Sequence, residues 1–137
     1  MNIEEAKELL SYHSGRNTDV NNEKWIKGFL GSLRPFKGEL IEENFIEVME
    51  CMKVLQEEFK EDKVDKNIIN DIIGIAHLAR TWAHPEGMLG SNKLLSEEQT
   101  AKLNLWVDII EEALMWLLDD APEEAFWSYD MYLKGEL

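Results

Sequence analysis

Apolar residues recur at intervals of three or four along most of this chain, and strict alternation of apolar with polar residues is scarce. This spacing is typical of amphipathic helices, which turn an apolar stripe towards the core and a polar face towards water. The pattern predicts an all-α fold. We expect a compact single-domain bundle of five to six helices, spanning residues 1–137, with one central apolar helix.

Three helices are predicted in the first half of the chain. The first extends from Asn2, a residue type that favours helix N-caps, to about His13. The second covers residues 23–33 and ends before Pro35, because proline pushes the preceding residue out of the helical region. The third, residues 40–60, sets an apolar stripe opposite a face of glutamates, so one side is expected in the core.

Three more helices are predicted in the second half. The fourth covers residues 65–83 and is apolar around most of its circumference, so it is expected to be the central, most buried helix. Ser96 and Gln99 have the spacing of a capping box for a fifth helix that reaches about Asp119. The last helix starts near Pro122, because proline suits a first helical turn, and it carries an aromatic segment.

Charge and composition narrow the classes of partner. The chain has 14 Lys and Arg against 28 Asp and Glu, a net charge of −14, and 45% hydrophobic residues, enough for a core. This acidity disfavours direct binding of nucleic acid or membrane and favours a basic protein partner. The N-terminal residues do not resemble a signal peptide. The single cysteine, Cys51, excludes an internal disulfide, and we expect a cytoplasmic protein.

The chain lacks the phosphate-binding loop, nucleophile elbow and zinc-binding motifs of common enzymes. His77 and His84 are seven residues apart on one helix, about 10 Å along its axis, too far to share a metal. Cys51 is expected in the core, where a thiol is unreactive. Glu47 and Glu50 could act as acid and base, but the many glutamates around them favour a solvated face. We expect no metal or cofactor, and a non-enzymatic role is favoured over an enzymatic one.

The basic residues are concentrated in one window. Residues 24–37 contain four basic and no acidic residues, so this basic window has a charge of +4 and the rest of the chain −18. Gly28 and Gly31 are unexpected in a helix, where glycine costs about 1 kcal/mol relative to alanine, and they indicate a close backbone approach. Either the cations pair internally with the acidic third helix, or the window is left free to hold an anion.

Arginine and histidine fall near the predicted helix ends. A candidate ligand pocket is formed by Arg34, His77, Arg80, Trp82 and His84, in which the arginines hold an anionic group, a histidine is a titratable donor and a tryptophan is an apolar wall. The alternative is that these arginines cap helix ends or pair with internal acids while the tryptophans fill the core.

Aromatic residues mark candidate surfaces for a protein partner, because they are enriched in interface cores. These candidates are Trp25, Phe36, Phe126, Trp127, Tyr129 and Tyr132. A terminal helix packed on the bundle would carry the same residues for the core alone.

Three functions are compatible with this pattern. The favoured one is an acidic, non-enzymatic interaction protein that binds a basic protein, of the inhibitor, immunity or nucleic-acid-mimic type. The second is a small-molecule or anion-binding domain, catalytic or not, that uses the arginine and histidine pocket. The third is a structural homo-oligomerisation module, based on the aromatic C-terminal segment.

Overall fold

Helices make up 66% of the residues and no strand is present, which confirms the predicted all-α fold. The structure is a computed structural model that describes residues 1–137. Its helices are α1 (Ile3–His13), α2 (Glu23–Lys27), α3 (Glu42–Leu55), α4 (Lys66–Ala83), α5 (Met88–Ser91), α6 (Glu97–Leu118), α7 (Pro122–Ala125) and α8 (Trp127–Leu133), with a 3-10 helix at Gln56–Lys60 after α3. None of the helices is both long enough and apolar enough to cross a membrane.

Capping side chains begin three of the four long helices, α1, α4 and α6, at the predicted residues. Asn2 accepts a hydrogen bond from the Glu5 backbone N–H at 2.8 Å, and Glu5 accepts one from Asn2 in return. Ser96 and Gln99 form the same reciprocal pair at the start of α6. Asp65 caps α4. Each pair satisfies N–H groups that lack a partner inside the helix, so the local sequence determines these starts.

The core joins α1, α3, α4 and α6. Phe45 of α3 stacks on Trp106 of α6 with ring centroids 5.4 Å apart, and Tyr129 of α8 meets Phe45 edge-on at 5.8 Å. All three side chains are buried, and burial of an aromatic side chain of this size contributes roughly 1.5–3 kcal/mol. The C-terminal segment is therefore part of the bundle.

The second helix is shorter than predicted. The predicted helix over residues 23–33 is wrong beyond Lys27, because Gly28 adopts an extended conformation there and the chain turns across α1. A Cβ at Gly28 would lie 3.3 Å from Nδ1 of His13, and one at Gly31 would collide with backbone carbonyls of α2. The two glycines therefore allow the close backbone approach predicted from the sequence, Gly28 against His13 and Gly31 against the carbonyls of α2.

Three further elements differ from the expectation. The third helix is α-helical only to Leu55. Helix α4 is less buried than its composition predicts, since Ile73 is half exposed. The loop expected between α4 and α6 contains α5, which lies so close to the end of α4 that a Cβ at Gly87 or Gly90 would collide with its carbonyls.

Candidate functional site

A buried histidine links the basic window to the bundle. His13 is 0% exposed, and its Nδ1 accepts a hydrogen bond from the Phe29 backbone N–H at 2.9 Å. Because an accepting Nδ1 carries no proton, the ring proton is on Nε2, which donates to Oε1 of Glu47 at 2.8 Å. Lys24 donates to the same oxygen at 2.8 Å. The hydrogen bond from His13, supported by Lys24 and opposed by partial burial, lowers the pKa of Glu47 to about 2.

The segment after α2 is held by backbone groups as well. The His13 carbonyl accepts a hydrogen bond from the Leu30 N–H at 3.1 Å. The side-chain amide of Asn44 donates a hydrogen bond to the Lys27 carbonyl at 2.8 Å. Internal pairing with the acidic third helix therefore accounts for Lys24 of the basic window. All buried polar side-chain atoms of the protein have hydrogen-bond partners, so this cluster serves as a structural tie.

A second cluster, centred on a buried aspartate, joins the end of α1 to α4. Asp71 is 2% exposed and accepts hydrogen bonds from Arg16 at 2.7 and 3.1 Å and from the Ser14 hydroxyl at 2.9 Å. The hydrogen bond to Asp71 raises the pKa of Arg16. The cluster borders a polar groove of about 410 Å³. Its signal in the sequence is an aspartate on the apolar face of a helix, where a carboxylate requires a cationic partner.

Two residues of the predicted ligand pocket lie together. Arg34 and Trp82 line a cavity of about 210 Å³, with Trp25, Leu78 and Pro35 among its other walls. The guanidinium carbon of Arg34 lies 5.9 Å from the centroid of the Trp82 ring, within the range of a cation–π interaction. Its guanidinium has no hydrogen bond or ion pair within the chain, so its N–H groups are open to a ligand.

The remaining residues of that predicted pocket lie elsewhere. Arg80 and His84 line a separate cavity of about 690 Å³ at the end of α4. Arg80 binds Glu111 at 2.7 Å and Asp108 at 2.8 Å, and the hydrogen bond to Glu111 raises its pKa. His77 is exposed and lines neither cavity. The five residues therefore do not share one pocket. For Arg80 the alternative interpretation applies, since it pairs with acids of the same chain.

The candidate partner-binding aromatics divide into buried and exposed groups. Phe126 and Tyr129 are buried, and the Tyr129 hydroxyl donates to Glu50 at 2.8 Å. Burial raises the pKa of Tyr129, with the Glu50 hydrogen bond as the next cause. Phe36 and Tyr132 are half-buried against the core. The exposed members are Trp25 and Trp127. Packing in the core thus accounts for most of the C-terminal aromatics.

The single thiol is enclosed by the core. Burial raises the pKa of Cys51 to about 12. No group of three or more histidine, cysteine, aspartate or glutamate side chains is placed to hold a metal ion.

Known proteins do not distinguish between these sites. No protein-family model, curated protein or solved structure matches this chain.

The segment from Leu103 in α6 to the end of α8 is rich in acidic residues and lacks basic ones. Residues 103–133 contain eight acidic residues and no lysine or arginine. Four of these acids are exposed and without an ion pair, and three exposed apolar side chains lie beside them in the chain. We call this set the acidic C-terminal surface: Met115, Leu118, Asp119, Asp120, Glu123, Glu124 and Trp127.

Proposed function

We propose that this protein is a non-enzymatic interaction protein that binds a basic protein partner through the acidic C-terminal surface. The observation that carries the proposal is the stretch of eight acids without one lysine or arginine over residues 103–133. Only Lys53 and Arg80, from elsewhere in the chain, form ion pairs with acids of this stretch. The unpaired carboxylates create a negative field that attracts a basic surface.

Two of these acids oppose the fold. Asp119 and Asp120 follow the C-terminus of α6, where the helix dipole is negative, and the last turn of α6 has no basic residue. A carboxylate at that end costs about 0.3–1 kcal/mol at a surface position. The helix dipole therefore does not account for a negative charge at these two positions, whereas attraction of a cationic partner does.

Exposed apolar side chains give the surface anchors for a complex. Met115, Leu118 and Trp127 are 54%, 48% and 58% exposed. Tryptophan and methionine are enriched in interface cores, and tryptophan is among the commonest residues that dominate binding energy. Exposed acids close in the chain to exposed apolar groups suit a partner segment that is basic and amphipathic, such as the nucleic-acid-binding face of a nuclease or toxin.

Self-association through this surface is disfavoured. In a symmetric dimer the same patch meets itself, so the carboxylates of one copy would face those of the other. Like charges in contact are unfavourable unless cations lie between them, and residues 103–133 supply none. A basic partner meets the charge requirement that a second copy does not. The single thiol, buried and unpaired at Cys51, fits a reducing compartment and supports a cytoplasmic location as part of the proposal.

Affinity capture with two matched variants tests the proposal. One variant neutralises the surface by Asp119→Asn, Asp120→Asn, Glu123→Gln and Glu124→Gln. The control makes the same charge change at exposed acids with no ion pair elsewhere: Glu61→Gln, Asp62→Asn, Glu86→Gln and Glu136→Gln. Wild type and control are expected to retain the same basic protein at low ionic strength and to release it with salt, and the surface variant is expected to lose it. The proposal is contradicted if all three proteins retain the basic protein. It is also contradicted if the wild type retains no basic protein.

A further inference from the structure

We propose that the cavity between Arg34 and Trp82 is a binding site for a small aromatic carboxylate. This site lies in the basic window, away from the acidic C-terminal surface, and does not depend on the proposed function. We call it the Arg34 cavity; it lies between α2, the segment after it and α4.

Arg34 is exposed, and its guanidinium is free to bind an anion. The other two arginines of the protein, Arg16 and Arg80, are each held by carboxylates at 2.7–2.8 Å. Arg34 has no such partner, although acids outnumber bases two to one in the chain. Trp82 contacts the guanidinium by a cation–π interaction, which occupies none of its N–H groups. The planar fork of N–H donors remains free for the two oxygens of a carboxylate.

The walls of the cavity suit an aromatic ring. Trp25, Trp82 and Leu78 present apolar surface, and Pro35 adds a rigid edge. No acidic residue lines the cavity, so nothing in its wall repels a carboxylate. Its volume of about 210 Å³ is below the roughly 300–1,000 Å³ of pockets for drug-sized ligands. A ligand of one or two rings matches this size.

The cavity at the end of α4 shows why charge alone does not define such a site. Arg80 lines that cavity, but Asp108 and Glu111 neutralise its guanidinium. The Arg34 cavity combines an uncompensated guanidinium with aromatic walls. We therefore assign the anion site to Arg34 and not to Arg80.

Nuclear magnetic resonance titration of the full chain tests the assignment. The probes are benzoate, its neutral isostere benzamide, and acetate, which has the charge without the ring, at constant ionic strength. Benzoate is expected to cause saturable shifts of the indole N–H signals of Trp25 and Trp82, while the signal of exposed Trp127 stays unchanged. Benzamide and acetate are each expected to bind at least about tenfold more weakly. The absence of saturable shifts up to about 20 mM benzoate overturns the proposal.

Two variants with the same charge change locate the site. Arg34→Gln is expected to weaken benzoate binding about tenfold or more, and Lys37→Gln, an exposed cation that lines a neighbouring cavity, to change it less than about twofold. Equal losses in the two variants, or none in Arg34→Gln, overturn the proposal. If Arg34→Gln fails to fold, the wild-type comparison decides: benzoate stronger than both other probes supports the site, and equal binding of benzamide or acetate contradicts it.

Discussion

His13 and Glu47 lie 34 positions apart in the chain and are joined by a 2.8 Å hydrogen bond from a fully buried ring. The same ring accepts a hydrogen bond from the Phe29 backbone N–H, so α1, α3 and the segment after α2 meet at one side chain. Glu47 is therefore tied to buried structure and is not simply part of a solvated acidic face.

The Glu47 cluster makes stability depend on pH. The pKa of Glu47 falls from its ordinary 4.5 to about 2 in the folded protein, so the unfolded chain takes up the proton first as the pH decreases. Its stabilisation is complete above about pH 4.5 and is lost as the pH falls towards 2. With Glu47 26% exposed, we expect about 1–2 kcal/mol after allowance for solvent screening.

Urea denaturation of wild type and Glu47→Gln from pH 7 to pH 2.5 measures this contribution. The difference in free energy of unfolding should be largest at pH 7 and shrink below pH 4.5, because Glu47 of the unfolded wild-type chain then takes up a proton while Glu47 of the folded protein is still ionised. A difference that stays constant across this range contradicts the lowered pKa.

Replacement of the buried histidine should be far more costly than replacement of an exposed one. His13→Ala leaves the Phe29 N–H without its acceptor and opens a void, so we expect a loss of about 3 kcal/mol. His77→Ala, at an exposed position of α4, should change stability by less than about 0.5 kcal/mol. Thermal and chemical unfolding of both variants give the comparison, and similar losses are incompatible with the buried tie.

Neutralising the acids after α6 should stabilise the fold. Asp119→Asn and Asp120→Asn remove negative charges from the negative end of the helix dipole, so each should raise the free energy of unfolding by about 0.3–1 kcal/mol. Glu123→Gln and Glu124→Gln are the control, because these acids lie in the first turn of α7 and their removal should lower stability slightly. A loss of stability in the double asparagine variant contradicts the view that these acids oppose folding.

The thiol of Cys51 should be unreactive until the protein unfolds. Burial excludes reagents and raises its pKa to about 12, so almost no thiolate is present at pH 8. A disulfide reagent at pH 8 is expected to label the chain rapidly in denaturant and only at the rate of unfolding in buffer. Rapid labelling of the folded protein would show that the residue is accessible.

The sequence was sufficient where the determining signal is local. The caps at Asn2 and Ser96 and the apolar stripes of the long helices depend on residues within a few positions of one another, and these elements are confirmed. The sequence does not predict the end of α2, because Gly28 approaches α1, an element ten or more residues away in the chain.

For the candidate binding residues, the sequence predicts which residue types are suited to bind a ligand but not which side chains the fold brings next to them. The pattern singled out Arg34 and Arg80 as cations near helix ends, but it contains no information on which acids the fold brings to each. In the structure Asp108 and Glu111 meet Arg80, and none meets Arg34. The sequence does not predict the partners of His13 and Asp71 for the same reason, since each partner lies far along the chain.

The affinity of the captured basic partner for the two fourfold neutralised variants tests the central claim most directly. Calorimetry at about 50 mM salt should show binding to the control within about twofold of wild type and binding to the acidic-surface variant at least about tenfold weaker. The difference should decrease as salt is added, because screening weakens the charge interactions. Equal affinity of the two variants would contradict a partner site at the acidic C-terminal surface.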